Sequence, residues 1–183
     1  MRIEPARIPG CYEIFPQIVE DGRGIFVKTF REDLFATHGL ETRFAEEYYS
    51  VSRRGVLRGL HFQLPPHEHA KFVYCVAGKV LDAVVDLRTD SPAFGQFAAF
   101  ELGAEKGNML YIAPGLAHGF YALTENVIML YKVTSVYSPE HDSGIKWDSV
   151  GIPWPDGAPV LSDRDRGFPP LSKFKSPFHY RKE

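Results

Sequence analysis

One short stretch of the sequence, from Gly55 to Lys71, carries most of the residues that could do chemistry. It presents a guanidinium, an imidazole and an amine on Arg58, His61 and Lys71. Arginine and lysine usually lie on solvated surfaces, so a basic strand face is the plain alternative. Three such groups delivered together favour a site that binds an anion and transfers protons.

Acid–base chemistry without a metal is the first interpretation of these residues. The ordinary pKa of His61 lies near neutral pH, which suits a general base. Lys71 would supply positive charge to a developing oxyanion, and a tyrosine could return a proton as general acid. Either Asp163 or Asp165, in the segment LSDRD, could orient the histidine and stabilise its charged form.

A metal site is the second interpretation. His67 and His69 alternate along the chain, and His118 follows much later in the segment PGLAH, a spacing that resembles metal-binding cupins. The acidic ligand expected four or five residues after His69 is missing, because Val73 and Tyr74 stand there. Two prolines before His67 also indicate a loop. We therefore expect His67 and His69 to be loop residues, with no metal and no other cofactor.

The elements that would position these residues are mainly strands. Apolar runs with strand periodicity recur about every ten residues, and turn residues separate them. Gly78 divides the longest run into an expected hairpin, and in its second half Asp82, Val84 and Asp86 share one face. This rhythm predicts an all-β fold, an antiparallel β-sandwich or jelly roll. No GxGxxG or GxxxxGK[ST] motif is present to suggest a doubly wound nucleotide fold.

Two regions depart from the strand rhythm. The stretch from Arg31 to His38 is typical of a short helix, with acidic residues in its first turn and Gly39 placed to end it. From Tyr137 onwards the chain is rich in proline, glycine and charge. Apolar residues in this region would be stranded in water if it were free, so we predict a long C-terminal tail wrapped on the core.

Bulk properties limit the class of protein. A chain of 183 residues is long enough for one domain with a sizeable core, so we expect a single domain over residues 1–183. The net charge of −2 gives no reason to expect a nucleic-acid partner. The two cysteines, and the lack of a signal-like or membrane-spanning apolar run, predict a cytoplasmic protein with no membrane partner.

Several longer segments occur in a fixed order and carry a family resemblance: DGRG, GVLRGLHFQ, VVDLRTDSPAFG, APGLAHGF, LYKVT, GIKWDSVGIPWP and LSDRD. In these segments, which span nearly the whole chain, the sequence resembles the dTDP-4-dehydrorhamnose 3,5-epimerases, which are cupin-type sugar-nucleotide epimerases. The resemblance implies a jelly-roll homodimer that needs no metal and acts on a nucleoside-diphosphate sugar.

The resemblance also implies a role for each matching residue. His61 would remove the proton beside the 4-keto group of the sugar, Asp165 would support it, and Lys71 would stabilise the enolate. Tyr131 would reprotonate the opposite face. The remaining matches would bind the substrate: Arg23 and Arg58 at the pyrophosphate or sugar, and Phe26, His118 and Phe120 as pocket lining.

Other residues differ from the family pattern and are also expected near the substrate. Lys28 stands where the family has glutamate, and EEYYS, which contains Glu46 and Tyr48, replaces a segment like QDNHS. Two carboxylates beside a pyrophosphate would be unfavourable unless they face elsewhere. The base, the sugar and the choice of C3, C5 or both therefore stay open. A ketoisomerase, a metal-binding cupin and a non-catalytic sugar-nucleotide-binding cupin remain as alternatives.

Strict alternation places Arg58 and His61 on opposite faces of their strand. Glycine tolerates the irregular backbone of a β-bulge. We therefore predict a bulge at Gly59 that turns both side chains into the same site.

Overall fold

The computed structural model describes residues 1–181; Lys182 and Glu183, which the predicted domain includes, lie outside the described residues. The secondary structure is mostly strand. In chain order the elements are β1 (Arg2–Pro5), β2 (Cys11–Phe15), β3 (Ile18–Asp21), β4 (Gly24–Val27), α1 (Glu32–Thr37), β5 (Glu46–Ser52), β6 (Leu57–Gln63), β7 (Lys71–Ala77), β8 (Lys79–Asp86), β9 (Phe97–Gly103), β10 (Met109–Ile112), β11 (Leu116–Ala122), β12 (Val127–Val133), β13 (Asp142–Gly144), α2 (Asp163–Gly167) and a single 3₁₀ turn (Leu171–Lys173).

Two antiparallel sheets pack face to face. The first has the strand order β1-β2-β10-β7-β12-β5 and the second the order β13-β6-β11-β8-β9. Buried residues of both inner faces, such as Val73 and Met129 from the first sheet and Val84 and Phe120 from the second, form one apolar core. Alternation of inward and outward side chains along each strand produces this packing. The predicted all-β jelly roll is confirmed.

The expected hairpin around Gly78 is wrong. Strand β7 pairs with β10 and β12, whereas β8 pairs with β9 and β11 in the other sheet. Gly78 instead turns the chain from one sheet into the other, with φ of 77°. A Cβ atom there would lie 2.5 Å from the Thr124 hydroxyl oxygen, so the corner is too tight for a side chain.

The outer faces of both sheets are covered by the remaining elements. On the first sheet, Phe35 of α1 packs on Phe72 and Tyr111; this helix matches the predicted one within a residue at each end. On the second sheet, Ile152 and Phe178 of the tail pack on the odd-numbered face of β8. The prediction of an ordered C-terminal tail is confirmed.

A small hairpin of β3 and β4 forms a separate two-stranded sheet. Its large apolar side chains are exposed: Ile18, Val19, Ile25 and Phe26 are 39–63% accessible. The rest of the described chain covers these side chains only in part, and a lone hairpin is marginally stable in water. Among residues 1–181, no helix has the length and apolar character needed to cross a membrane.

Candidate active site

A cavity of about 320 Å³ lies between the two sheets and the C-terminal tail. The first sheet contributes inward-facing residues of β5, β7 and β12, and the second contributes β6 and β11. The lining residues are Glu46, Tyr48, Ser50, Arg58, His61, Phe62, Gln63, His69, Lys71, His118, Phe120, Tyr131, Val133, Tyr137, Asp142 and Arg164. Most of the polar residues predicted for the site are therefore brought together.

His61 and Asp165 form a hydrogen-bonded pair at this cavity. His61 Nε2 lies 2.8 Å from Asp165 Oδ1, although the two residues are far apart in sequence. Burial lowers the pKa of His61, partly offset by Asp165, so its imidazole is neutral at pH 7. Burial raises the pKa of Asp165, but bonds from His61 and the Gly59 N–H outweigh it, so Asp165 remains a carboxylate. A neutral imidazole oriented by a carboxylate is a competent general base.

The backbone at Gly59 makes this pair possible. The register of β6 against β11 shifts between Arg58 and His61, which confirms the predicted bulge, and both side chains line the cavity. Gly59 has φ of 145°, and its N–H donates to Asp165 Oδ2 at 3.2 Å. A Cβ atom at Gly59 would lie 2.6 Å from the Gly119 Cα. The position therefore requires glycine.

Lys71 begins β7 and points into the cavity from the facing sheet. Its ammonium donates to the backbone oxygen of His61 at 2.9 Å, and the residue is 7% exposed. Burial lowers its pKa to about 8, with Asp142 raising it and Arg164 lowering it. At neutral pH the cavity thus holds a buried cation beside the His61 backbone.

Tyr131 on β12 faces the cavity from the same sheet as Lys71. Its hydroxyl lies 3.4 Å from Ser50 Oγ, and its ring stacks on Tyr48 of the neighbouring strand. Burial is the main cause that raises the pKa of Tyr131 above its ordinary value. The phenol therefore keeps its proton at neutral pH, as a proton donor must.

A second buried histidine–carboxylate pair lines the cavity. His118 Nε2 lies 2.8 Å from Asp82 Oδ2, and both residues are almost fully buried. Burial raises the pKa of Asp82, and His118 opposes that shift. His118 was predicted at the site from the sequence, but its partner Asp82 was not. The available signal was an acidic residue inside an apolar strand, because a buried carboxylate needs a partner.

Arg164 is a further site residue that sequence reasoning missed. Its Nη2 lies 2.8 Å from His61 Nε2, and its guanidinium also pairs with Asp142. Arg58 lies nearby on β6, where its Nε donates to Ser52 Oγ at 3.0 Å. Two guanidinium groups therefore line one cavity, and this group type binds phosphates through paired hydrogen bonds.

We predict that Arg164→Gln raises the pKa of His61. The guanidinium is among the charges that lower that pKa, so its removal makes protonation easier. NMR titration of the His61 imidazole in the free protein measures the shift. Arg166→Gln is the matched control, because Arg166 is exposed on the same helix and pairs with Asp163. An unchanged or lowered His61 pKa in Arg164→Gln would contradict the prediction.

The two carboxylates of the EEYYS segment have partners within the chain. Glu46 Oε2 accepts from the Tyr137 N–H at 2.7 Å, and Glu47 pairs with Lys132 at 3.0 Å. Glu46 and Tyr48 face the cavity, whereas Glu47 lies on the opposite face of β5. The Glu47 carboxylate is therefore directed away from the cavity, whereas the Glu46 carboxylate remains at the cavity wall and is hydrogen-bonded to a backbone N–H.

Three predicted substrate-binding residues lie away from this cavity in their own chain. Arg23, Phe26 and Lys28 belong to the β3–β4 hairpin or follow it. Arg23 pairs with Asp21 at 2.6 Å in the exposed turn, and Phe26 is 63% accessible. None of the three lines the cavity, so their roles in substrate binding stay predictions.

The histidines considered as metal ligands each contact a different partner. The His67 ring packs on His141 at 4.4 Å, and His69 Nδ1 lies 3.1 Å from Ser135 Oγ. Burial lowers the pKa of His69 to about 3. Within residues 1–181, no group of three or more His, Cys, Asp or Glu side chains is arranged to hold a metal ion.

The fold and the cavity together define a cupin-like jelly roll whose interior is equipped for acid–base chemistry. The family profile of dTDP-4-dehydrorhamnose 3,5-epimerases matches residues 5–173. A dTDP-4-dehydrorhamnose 3,5-epimerase of Methanothermobacter thermautotrophicus is 42% identical over 170 residues, which cover 90% of this chain and 91% of that protein. The chain belongs to the dTDP-4-dehydrorhamnose 3,5-epimerase family.

Solved structures agree with this membership. The dTDP-6-deoxy-D-glucose-3,5-epimerase of Legionella pneumophila, in complex with dTDP-4-keto-L-rhamnose, superposes with a TM-score of 0.93 at 33% identity and covers 99% of each chain. The 3'-monoepimerase ChmJ of Streptomyces bikiniensis, in complex with dTDP-quinovose, has a TM-score of 0.87 at 36% identity and covers 92% of this chain and 87% of its own. The fold is thus shared with epimerases of both one and two centres.

Proposed function

We propose that this protein inverts C3, C5 or both centres of a nucleoside-diphospho-4-keto-6-deoxyhexose, with dTDP as the nucleotide. The proposal rests on the positions of the two proton-transfer groups, which lie on facing walls of the cavity. His61 with Asp165 lies on the wall formed by the second sheet and the tail, and Tyr131 lies on the facing first sheet. A base and an acid on opposite walls of one cavity are what inversion of a carbon requires.

The proposed reaction begins with removal of a proton beside the sugar ketone. The carbonyl acidifies that proton, and neutral His61 accepts it while Asp165 stabilises the resulting imidazolium. Electrons move onto the carbonyl oxygen, and the buried ammonium of Lys71 stabilises the enolate. Tyr131 then delivers a proton to the other face, which re-forms the carbonyl with the centre inverted. The chemistry uses no change of oxidation state.

Substrate binding is assigned to the remaining charges and walls of the cavity. Arg58 and Arg164 face the opening, where a diphosphate would find two guanidinium groups. His118, held by Asp82, and Phe120 form part of the inner wall. Glu46 lines the cavity where the family pattern carries an amide residue, so we expect it to influence substrate preference.

Incubation with dTDP-4-keto-6-deoxyglucose in deuterated water tests the proposal. We expect deuterium at C3, C5 or both, and NMR of the product identifies the inverted centres. Movement of the carbonyl without inversion would indicate a ketoisomerase instead. The absence of deuterium uptake with dTDP-, GDP- and CDP-linked keto-sugars would exclude the proposed reaction and leave a binding function.

A homodimer is part of the same proposal. The exposed apolar side chains of the β3–β4 hairpin need a partner, and the outward face of edge strand β5 exposes Tyr49 and Val51. In a symmetric pair of chains, the hairpin of one chain can cover the other and bring Arg23 and Phe26 to its cavity. This arrangement would reconcile their predicted roles with their distance from the cavity of their own chain.

We predict that Phe26→Asp weakens the dimer by about thirtyfold or more, the effect of losing a well-packed interface aromatic. Light scattering across a dilution series measures the change. Phe94→Asp is the control, because Phe94 is also exposed but lies outside the hairpin. A wild-type protein that is monomeric at micromolar concentration would contradict the proposal.

Mixing Arg23→Ala with His61→Asn protein should restore part of the activity if one chain completes the site of the other.

We further propose that residues 1–183 act as one cytoplasmic domain. The tail supplies Asp165 and Arg164 to the site as well as apolar cover to the second sheet, which supports a single folding unit. Cys11 and Cys75 are both buried and free, which is typical of a reducing compartment.

A further inference from the structure

Tyr48 makes an aromatic stack with Tyr131 inside the cavity. The two residues are direct cross-strand partners of β5 and β12, and their ring centroids lie 4.8 Å apart at an interplanar angle of 16°. Tyr131 is 7% exposed and Tyr48 is 42% exposed. The outer ring thus covers the inner one along the edge strand of the first sheet.

Other neighbours also restrict the Tyr131 phenol. Ser50, two residues from Tyr48 on the same face of β5, lies 3.4 Å from the Tyr131 hydroxyl. The His118 ring lies 6.2 Å from the Tyr131 ring at 69°. With Tyr48 stacked on one face of the ring, Ser50 beside its hydroxyl and His118 at its edge, the side chain has little space to adopt another χ1 rotamer, so the position of its hydroxyl is defined before substrate arrives.

This restriction matters because proton transfer is sensitive to position. A displacement of about 1 Å between a catalytic group and its target can cost a rate factor of about a hundred. A cavity wide enough for a hexose would let an unsupported phenol take more than one position. A smaller or amide residue at position 48, as in the family pattern, would not provide an aromatic face for stacking.

We infer that Tyr48 is a positioning residue that holds Tyr131 in place for reprotonation. The inference rests on the proposed function, in which Tyr131 is the acid. It gives Tyr48, the first tyrosine of EEYYS, a role other than contact with the nucleotide. Tyr48 acts through Tyr131, so its loss affects inversion more than proton removal by His61.

The ratio of inverted product to deuterium-labelled, uninverted substrate in deuterated water separates these two steps. His61 can return a solvent deuteron to the face from which it took the proton, whereas inversion requires Tyr131. We expect Tyr48→Ala to lower the ratio by about tenfold with little change in KM. Tyr48→Leu, which keeps bulk at the strand, should show the same fall, and Tyr48→Phe should retain the wild-type ratio.

Phe94→Ala is the control, because Phe94 is an exposed aromatic residue that does not line the cavity. Equal losses of exchange and inversion in Tyr48→Ala, or a raised KM with an unchanged ratio, would overturn the inference. Tyr131→Phe provides the reference for lost reprotonation. If wild-type protein shows no exchange at all, the proposed function itself fails; if wild type and Tyr131→Phe behave as expected and only the Tyr48 variants do not, the positioning role alone fails.

Discussion

Replacing His61 with asparagine should lower turnover of the keto-sugar by about a thousandfold, the contribution expected of a positioned general base. The amide keeps a similar shape and can still hydrogen-bond to Asp165, but it cannot accept the sugar proton. Exchange of deuterium and inversion should therefore fall together. This result would differ from that of Tyr131→Phe, in which exchange should persist while inversion is lost.

His67→Asn is the matched control for His61→Asn. His67 belongs to the pair of histidines that a metal site would have used, and it packs on His141 without lining the cavity. Activity close to wild type in His67→Asn, with the large loss in His61→Asn, would support metal-free base catalysis. Full activity in His61→Asn would show that another group removes the proton.

The pairing of His61 with Asp165 shows what sequence patterns can and cannot predict. Residue types and segment order indicated both members, and Gly59 was expected to bulge because alternation alone would have turned Arg58 away. The contact between them joins positions 104 residues apart. Only the tail's path across the second sheet, determined by packing of residues such as Ile152, brings the carboxylate to the histidine.

Arg164 and Asp82 were not predicted as site residues, for a related reason. Each is a charged residue whose partner lies on another element, and charge patterning within a single segment does not reveal such a contact. Alternation in β8 correctly grouped Asp82 with Val84, but it could not show that the shared face borders His118. The hairpin predicted at Gly78 was wrong because two strands joined by a short turn usually pair with each other. Here the turn connects β7 in the first sheet to β8 in the second.

The residues of the β3–β4 hairpin show a feature that the sequence of a single chain could not predict. Arg23 and Phe26 were expected at the substrate, yet their own chain holds them in an exposed two-stranded sheet. A single sequence carries the apolar pattern of a strand without saying whether the core that covers it belongs to the same chain. Their exposure is the observation on which the proposed homodimer rests.

We expect Lys71→Met to lower kcat by about a hundredfold to a thousandfold, the cost of removing one group that stabilises a developing oxyanion. Methionine preserves most of the side-chain volume but would leave the proposed enolate without a buried cation. Lys79→Met is the matched control, because Lys79 begins the next strand and is partly exposed in an ion pair with Glu105. The loss should appear in kcat more than in KM, since the charge develops after binding.

The dependence of wild-type activity on pH should also reflect the ionisation of Lys71. In the proposed reaction His61 is neutral, and its pKa is lowered from 6.5, so activity should rise with pH at values below 6.5. In the same reaction Lys71 is charged, and burial lowers its pKa to about 8, so kcat/KM should fall as pH rises through about 8. Lys71→Arg should retain the rise but lose this fall, because arginine stays protonated above pH 12. A wild-type profile that stays flat to pH 10, together with an active Lys71→Met, would show that the enolate is stabilised by another group.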